Sequence, residues 1–401
     1  MEQLTLSDTP SKNIQPQQSP VVKNKTEMWQ LKLAVLRQLF RLLLHKSGNP
    51  LTAFKIVHQI RKKYQNTFGE PLLSKATKVD GRYYWRLGTP GFPSKATLIT
   101  HQNEINRFIP TQNSNGLRTV LFAITKKCPL NCQHCFEWNN LHQDEQLSTT
   151  DIINIVHKYQ DYGTTQIMFS GGEPMLRIND LYKVLQAAKP KITDFWIITS
   201  GLGLNLERAK QLKAAGLTGV MVSLDHHEAP AHDFFRGFQG AYNWATQAVT
   251  SANQAGLVTT LSLCATKAFV STENITAYMQ LAKKLGVSFV QIVEPRATGR
   301  YSGKNVELSE KETNILEKAY LSYNSDKQFQ DYPIINYLGY HQRKVGCFGS
   351  GDRFFYIDTD GDAHICPFCT KKIANTLKLS AEDTIQLLSQ NACHSFANST
   401  F

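Results

Sequence analysis

One stretch of sequence decides the fold: Thr119-Val-Leu-Phe-Ala-Ile-Thr125-Lys-Lys-Cys128-Pro-Leu-Asn-Cys132-Gln-His-Cys135. An apolar run of strand length leads directly into a loop that carries three cysteines. Three thiolates with this spacing can converge on one metal centre, and thiolates are the usual ligands of iron–sulfur clusters. A zinc site or three unrelated buried cysteines are the alternatives. The pattern favours a cluster with three protein ligands, which leaves one iron open for chemistry.

Around this stretch, apolar runs of strand length alternate with helical patterns. Strands are predicted at 119–125, 166–170, 195–199, 219–225, 258–266 and 288–294, and helices near 149–162, 180–188, 205–215, 241–255 and 274–285. Six strands with five intervening helices indicate an α/β fold with a parallel sheet. Because ligands of such folds lie beyond the carboxyl ends of the strands, residues that directly follow each strand are candidate site residues.

Composition and cysteine usage narrow the class of protein. The 401 residues are 41% hydrophobic and 10% aromatic, which excludes disorder of the whole chain. The polar N-terminus does not resemble a secretory signal, so we expect a cytoplasmic, reducing compartment in which clustered cysteines bind metal. The apolar stretch Leu31–Leu44 is interrupted by Lys32, Arg37 and Arg41, so a membrane-spanning helix is not expected.

The net charge of +12 is concentrated near the N-terminus. Ten basic residues and the acidic Glu27 lie between Lys23 and Lys63. Packing of this segment on the body of the protein, contact with an anionic membrane surface and capture of an acidic peptide or nucleic acid are all compatible with it. Nucleic acid is the least expected partner because no RNA-binding motif is visible. Peripheral contact with the inner face of the membrane through residues 28–64 is our further hypothesis.

A second group of cysteines lies near the C-terminus, at Cys347, Cys366, Cys369 and Cys393. A β-hairpin is predicted among them, with Asp360-Gly361 at its turn. The group fits one iron–sulfur cluster with four ligands, and a four-cysteine zinc site is the alternative. The remaining cysteine, Cys264, lies inside a predicted strand and is interpreted as a core residue.

The cysteine triad resembles that of the radical S-adenosylmethionine (radical SAM) enzymes. In that family the three cysteines bind a [4Fe–4S] cluster, whose open iron binds the methionine moiety of the cofactor. Reductive cleavage then gives methionine and a 5′-deoxyadenosyl radical, which removes a hydrogen atom from the substrate. The resemblance covers about residues 119–300 and implies a partial (β/α)6 TIM-like barrel. It also implies an electron donor of the flavodoxin or ferredoxin type.

Further motifs carry the same resemblance. Ser170-Gly171-Gly172-Glu173-Pro174 is similar to the family's Gly-Gly-Glu motif, which contacts the amino group of the cofactor. Ser200 stands where the family often has an asparagine near the ribose, and Ser223-Leu224-Asp225 is similar to its Ser-Leu-Asp. Arg236, in a segment similar to His-Asp-x-x-Arg-Gly, is expected to pair with the cofactor carboxylate. The cofactor-binding residues thus implied are Gly171, Gly172, Glu173, Ser200, Ser223, Asp225 and Arg236.

Two other stretches resemble the family. Glu294-Pro295-Arg296-Ala297-Thr298-Gly299-Arg300 is similar to the end of its sixth strand, near the adenine. The C-terminal cysteines resemble those of the SPASM and twitch modules, which hold auxiliary iron–sulfur clusters. The resemblance therefore implies an auxiliary [4Fe–4S] cluster that either relays electrons or receives one from a substrate radical.

The expected organisation has five parts: a disordered tail (1–27), a basic helical extension with a hairpin (28–118), the radical SAM barrel (119–300), a helical linker (301–346) and the auxiliary cluster module (347–401). The expected substrate is a peptide or a lipid-linked molecule. A non-catalytic iron–sulfur or zinc scaffold with the same fold is the alternative function.

Overall fold

The computed structural model describes residues 15–69, 73–108 and 117–393. Five elements precede the main sheet, together with a short docked segment. They are α1 (Lys25–Ser47), α2 (Pro50–Phe68), the hairpin β1 (Thr77–Val79) and β2 (Arg82–Tyr84), and α3 (Lys95–Phe108). Asn24 and Asn49 cap the two long helices through their side chains, and Gly48 ends the first in a left-handed conformation. The two basic helices and the hairpin were predicted, whereas α3 was not.

The tail predicted over residues 1–27 falls partly outside the described residues, at 1–14. From residue 15 onward the chain is held against the body: the Gln17 amide donates to the Lys284 carbonyl at 2.9 Å, and the Val22 amide donates to the Ala76 carbonyl at the same distance. Val21 is buried. Residues 15–24 therefore form a docked segment and residues 25–27 begin α1, which corrects the prediction of a free tail there.

The main sheet begins at the predicted first strand. Its elements, in chain order, are β3 (Thr119–Ala123), α4 (Thr149–Asp161), β4 (Gln166–Ser170), α5 (Ile178–Ala187), β5 (Asp194–Thr199), α6 (Leu206–Ala215), β6 (Leu217–Ser223), α7 (Ala229–Arg236), α8 (Ala241–Gln254), β7 (Val258–Cys264), α9 (Thr272–Lys284), β8 (Phe289–Val293), α10 (Glu310–Ser325), β9 (Ile334–Tyr337), α11 (Leu338–Val345), β10 (Phe354–Ile357), β11 (Asp362–His364), β12 (Ala374–Asn375) and α12 (Ala381–Gln390). All six predicted strands and the five helices between them are confirmed, with ends within a few residues.

The sheet has the order β12-β11-β10-β3-β4-β5-β6-β7-β8-β9, and the strands from β10 to β9 are all parallel. Within the described part of the chain its two edges do not meet, so the barrel is open, as expected for a partial barrel. The predicted C-terminal hairpin, β10 with β11, is confirmed. It does not form a sheet of its own, however, because β10 continues the main sheet by pairing with β3.

The N-terminal hairpin covers the end of the sheet at which the strands begin. Tyr84 is buried among apolar side chains from six strands of the sheet, including Trp196 and Phe289. Arg82 forms an ion pair with Asp194 at 2.8 Å, and Asp194 also accepts the Gly91 amide at 3.0 Å. The N-terminal extension therefore packs on the end of the barrel opposite the predicted site.

The apolar face of α1 is largely buried against other parts of the N-terminal extension. Leu31 and Val35 pack with residues near the hairpin, including Phe92, and Leu43 packs with Ala53 and with Ile105 of α3. This arrangement favours packing over the other interpretations of α1. No helix among the described residues is both long enough and apolar enough to cross a membrane.

Candidate functional site

The three cysteines of the central loop lie together beyond the carboxyl end of β3. Cys132 is buried, and all three thiols pack in one cluster with Leu130 and Ala241. Burial raises the pKa of Cys128 and of Cys135 to about 12, so both thiols are protonated in the protein without metal. Metal binding there would release protons, since only the thiolate is a ligand.

Three neighbouring segments contact the backbone of the cysteine loop, and each has a glycine at the point of contact. A Cβ on Gly172 would lie 2.2 Å from the Lys127 carbonyl oxygen. One on Gly237 would lie 2.6 Å from the carbonyl oxygen of Asn131, and one on Gly299 would lie 2.3 Å from that of Cys135. These glycines therefore permit contact between the loop and the backbones that enclose it.

Glu173 is almost fully buried beside the loop. One carboxylate oxygen accepts the Thr199 hydroxyl at 2.7 Å and the Met175 amide at 3.1 Å. The other accepts the Ser200 amide at 2.8 Å and the Ser200 hydroxyl at 2.5 Å. Burial raises its pKa in spite of these hydrogen bonds, and no lysine or arginine among the described residues forms an ion pair with it. A buried carboxylate in this state would be stabilised by a cationic ligand.

Asp225 and Arg236 form a buried ion pair next to the cysteines. The Arg236 Nε and Nη2 atoms both lie 2.6 Å from Asp225 Oδ2. The other carboxylate oxygen accepts the Cys264 amide at 2.9 Å. The third guanidinium nitrogen, Nη1, lies 3.6 Å from the sulfur of Cys132. Arg236 is thus directed towards a cysteine of the loop by its partner, on the helix α7 that was not predicted.

Two of the predicted cofactor residues, Ser200 and Asp225, already form hydrogen bonds or ion pairs with other residues of the chain. Ser200 is bound to Glu173, and Asp225 is bound to Arg236 and to the backbone of β7. Ser223, at the end of β6, differs from them because its hydroxyl has no hydrogen bond to any described residue. The structure therefore joins Ser200 to Glu173 and Asp225 to Arg236, and places Ser223 at the end of β6.

The stretch after β8 contacts the same loop. The Arg300 amide donates to the Cys135 carbonyl at 3.0 Å, and its guanidinium bonds to Asn131 and covers the ring of Trp138 at 4.4 Å. Glu294, at the start of that stretch, pairs instead with Arg343 at 2.6 Å. The segment that resembles the end of the sixth strand thus supports the cysteine loop through its last two residues.

The four C-terminal cysteines converge from three segments. The Cys366 and Cys369 sulfurs are 3.4 Å apart, and the contact with Cys366 lowers the pKa of Cys369. Cys393 also hydrogen-bonds to Cys369. Burial raises the pKa of Cys347, and its neighbours Cys393 and Cys369 add to that increase. Four neighbouring thiols chemically suit either an iron–sulfur cluster or zinc, but no three of their sulfurs in the described residues lie within 4.8 Å of one another. Cys264 is buried inside the barrel, as expected for a core residue.

Sequence reasoning missed the contact between the two cysteine groups. Phe136, next to Cys135, packs edge-on against Tyr356 at 5.7 Å and Phe368 at 6.2 Å between ring centroids. Phe368 lies between two of the C-terminal cysteines. The Tyr356 hydroxyl donates to buried Glu137, only two residues beyond Cys135. We call Phe136, Glu137, Tyr356 and Phe368 the bridge.

His134 was also missed, although it lies between two of the cysteines. Its ring stacks on that of Phe235, with centroids 4.8 Å apart. Its Nδ1 atom is buried without a hydrogen-bond partner among the described residues. Burial lowers its pKa to about 4, so the ring is neutral at physiological pH. Its position within the cysteine motif was the available signal.

Comparison with known proteins supports the resemblance to the radical SAM enzymes. A sequence model described as the Radical SAM superfamily matches residues 122–282. An AdoMet-dependent heme synthase of Nitratidesulfovibrio vulgaris is 25% identical over 190 residues, which are 46% of this chain and 50% of the relative. A PqqA peptide cyclase of Methylocella silvestris is 31% identical over 183 residues, 45% of this chain and 48% of the relative. Residues 122–282 thus match a radical SAM domain, and the enzyme names of these relatives support an enzyme of that superfamily.

Solved structures share the fold. Streptococcus suis SuiB bound to its precursor peptide SuiA superposes with a TM-score of 0.57 at 14% identity, covering 72% of this chain and 69% of that one. The anSMEcpe protein with AdoMet and the Kp18Cys peptide gives a TM-score of 0.57 at 15% identity, covering 70% and 84%. The chain spans about half the length of the two curated relatives named above, so their activities are not transferred as a whole.

Proposed function

We propose that this chain cleaves S-adenosylmethionine reductively at a [4Fe–4S] cluster bound by Cys128, Cys132 and Cys135. The donor set fits this cluster, because one enclosed loop supplies three thiols. Once bound, the cluster would supply the electron that cleaves the cofactor to a 5′-deoxyadenosyl radical, which takes a hydrogen atom from the substrate. The observation that carries the proposal is the convergence of Gly172, Gly237 and Gly299 on that loop.

Glu173 and Ser223 are the side chains that we assign to cofactor binding. Glu173 is a buried carboxylate without a cationic partner among the described residues, and the cofactor's amino group would supply one. Its four hydrogen bonds fix its position against Thr199 and Ser200. The unoccupied hydroxyl of Ser223 would bind a polar group of the cofactor. Gly171 and Gly172 would contribute their backbone, whereas Ser200 would act by positioning Glu173.

For Arg236 we propose a role different from pairing with the cofactor carboxylate. Two of its nitrogens already face Asp225, and the third faces the sulfur of Cys132. A cation held there would stabilise the negative charge of a thiolate ligand. Asp225 would then be a positioning residue, because it orients the guanidinium and neutralises its buried charge.

The C-terminal thiols would hold an auxiliary [4Fe–4S] cluster in a SPASM- or twitch-like module. Four cysteines close together support this assignment, and the bridge supports electron transfer between the two sites. A small electron-transfer protein of the flavodoxin or ferredoxin type would supply the electrons. Zinc remains the alternative at this site, since it accepts the same ligands.

We propose a peptide as the substrate. The support is the likeness to a PqqA peptide cyclase, which is 31% identical over the matched residues. A porphyrin is a second candidate, because heme synthases are among the relatives as well. A lipid-linked molecule, expected from the sequence as an alternative, has no support from these relatives.

The test is anaerobic reconstitution with iron and sulfide, followed by addition of S-adenosylmethionine and dithionite. We expect 5′-deoxyadenosine from the wild type and from Cys264→Ala, which removes a buried thiol outside both groups. We expect none from Cys128→Ala. Absence of 5′-deoxyadenosine from a wild type that has incorporated iron would instead support the non-catalytic scaffold.

Membrane contact through residues 28–64 is a separate proposal. Trp29, Leu51 and Phe54 are exposed by 63%, 73% and 66%, among basic side chains that suit anionic headgroups. The test is sedimentation with anionic vesicles at low and high salt. Trp29→Ser with Phe54→Ser should reduce the bound fraction, and equal recovery of wild type and variant in the supernatant would leave packing on the barrel as the sole role.

A further inference from the structure

A small cavity lies where the N-terminal extension meets the barrel, far from both cysteine groups in the fold. Its volume is about 30 Å³, which is room for a small ion or a pair of waters. The extension contributes Lys75, Trp85 and Arg86, and the body contributes Tyr320, Asn336 and His341. Because Ile334, the first residue of β9, also lines the cavity, the cavity is at the end of the sheet opposite the cysteines.

The lining of this cavity contains two basic side chains and no acidic one among the described residues. Arg86 carries the positive charge, because burial lowers the pKa of Lys75 to about 7 and leaves that ammonium only partly protonated at neutral pH. The Lys75 ammonium donates only to backbone carbonyls, those of Tyr323 at 3.1 Å and Phe329 at 2.9 Å. Those carbonyls satisfy the hydrogen bonds of the ammonium, and the only acids that act on the two basic groups, Asp331 on Lys75 and Glu104 on Arg86, lie outside the described lining.

Arg86 is the most informative member of this lining. Its guanidinium lies over the ring of Tyr64 at 4.9 Å, and it has no hydrogen bond or ion pair with any described residue. A guanidinium has five N–H donors in a planar fork that matches an oxyanion. Taking such a group out of water without a partner is costly, so the arrangement calls for an anion in the cavity.

We propose that this cavity binds one small oxyanion, of the phosphate or carboxylate type, through Arg86 and Lys75. The hydroxyl of Ser74, which also lines the cavity, would be a further donor. The volume excludes a nucleotide or another large ligand. Because donors come from the extension and the wall from β9, α10 and α11, the anion would fasten the extension to the barrel.

Inorganic phosphate is the first probe, with sodium chloride at equal ionic strength as the control for screening. In the reconstituted wild type we expect saturable binding of one phosphate per chain by calorimetry, with a saturable rise in the melting temperature. Arg86→Gln should weaken binding at least tenfold. Arg61→Gln, which removes an equal charge from the exposed surface of α2, should bind within twofold of the wild type.

Absence of saturable phosphate binding in the wild type, together with absence of acetate binding, would overturn the proposal. So would equal affinities of the wild type and Arg86→Gln. If Arg86→Gln fails to fold, Arg86→Lys replaces it, since it keeps the charge but loses the planar set of N–H donors. Its affinity for phosphate should be two- to tenfold weaker than that of the wild type. An Arg86→Lys affinity equal to that of the wild type would also overturn the role of the fork. Formation of 5′-deoxyadenosine is a separate measurement, so this proposal and the proposed function can fail independently.

Discussion

Cys128, Cys132 and Cys135 come from one loop of eight residues, whereas Cys347, Cys366, Cys369 and Cys393 come from three separate segments. The first group has three thiols, and its shape depends on neighbouring backbones that press against the loop. The second group has four thiols, and its ligands would themselves tie the segments together. A site with only three protein ligands therefore depends on the surrounding backbone for its shape, whereas a site with four protein ligands is held together by the ligands themselves.

The largest expected effect separates the two groups. Cys132→Ala should abolish formation of 5′-deoxyadenosine and lower the iron content by about four atoms per chain, because one thiolate ligand is lost. The C-terminal group should keep its metal, which iron analysis and electron paramagnetic resonance measure. Cys264→Ala is the matched control and should retain both activity and iron. Continued 5′-deoxyadenosine formation by Cys132→Ala would show that the wrong thiols were assigned.

The reciprocal change is the double variant Cys366→Ala with Cys369→Ala. We expect it to lose about four iron atoms per chain while it still cleaves S-adenosylmethionine, because the cofactor residues belong to the first group. Metal analysis of the wild type decides between the alternatives at this site. Zinc near one atom per chain, with iron near four, would establish the zinc site in place of the auxiliary cluster.

Glycine substitutions sharpen the comparison without removing a thiol. Gly172→Ala would place a Cβ 2.2 Å from the Lys127 carbonyl oxygen, so the first group should lose its iron, with a loss of about 1–3 kcal/mol in the free energy of unfolding. Gly349→Ala would place one 2.8 Å from the Ile365 carbonyl oxygen and 3.4 Å from the Cys347 sulfur, and should affect the second group instead. Iron content and chemical denaturation measure both effects.

Gly303→Ala is the control for these two variants. Gly303 has a φ of +75°, and a Cβ there would meet no atom within 4 Å. The free energy of unfolding of this variant should therefore fall by about 1–2 kcal/mol through backbone strain alone, and both groups should keep their iron. Equal loss of iron by all three variants would mean that general destabilisation, and not local contact, governs the cysteine loops.

The smallest expected effect is the dependence of stability on pH. His232, near the first cysteine group, and His364, near the second, contribute to it with opposite signs. Burial lowers the pKa of His232, beside Asp225, to about 4. Its contribution to stability is present above about pH 6.5 and is lost as the pH falls towards 4, by about 1.4 kcal/mol per pH unit at most. Burial opposes protonation of His364 too, but Asp358 at 2.9 Å raises its pKa overall. That contribution is present below about pH 6.5 and is lost as the pH rises through the raised pKa.

Melting temperatures of His232→Gln and His364→Gln across pH 4.5–8 measure these contributions. The first variant should flatten the acid side of the profile, and the second should flatten the neutral side. His58→Gln, on the exposed surface of α2, should leave the profile unchanged. Profiles of the two variants that both run parallel to the wild type would contradict the opposite signs.

The sequence predicted the six central strands because each is a segment of five to nine residues, rich in apolar and β-branched side chains, that lies between helical patterns. It did not predict β9, which has four residues and directly follows Pro333. It predicted β10 as one half of a hairpin but not as the neighbour of β3. Local patterns indicate that a segment is extended, whereas the partner across a parallel sheet depends on the fold of the whole chain.

The candidate site shows the same division. Spacing alone indicated the cysteine loop, and its position after the first strand indicated the end of the barrel. The partners of Arg236 and the contact between Tyr356 and Glu137 were not predictable, because they join residues distant in sequence. The positioning roles that we propose for Ser200 and Asp225 rest on hydrogen bonds that only the structure shows.

The pairing of β10 with β3 has a consequence for synthesis of the chain. When β3 has left the ribosome, more than two hundred residues must still be made before Phe354–Ile357 can pair with it. Throughout that time β3 is an unprotected edge, with backbone groups open to pairing with another chain. The cysteine loop follows that edge directly, so cluster delivery before the C-terminus arrives would meet a loop still lacking the wall that Tyr356 and Phe368 provide. Assembly of the enzyme in cells is therefore expected to depend on the order in which translation and metal loading occur.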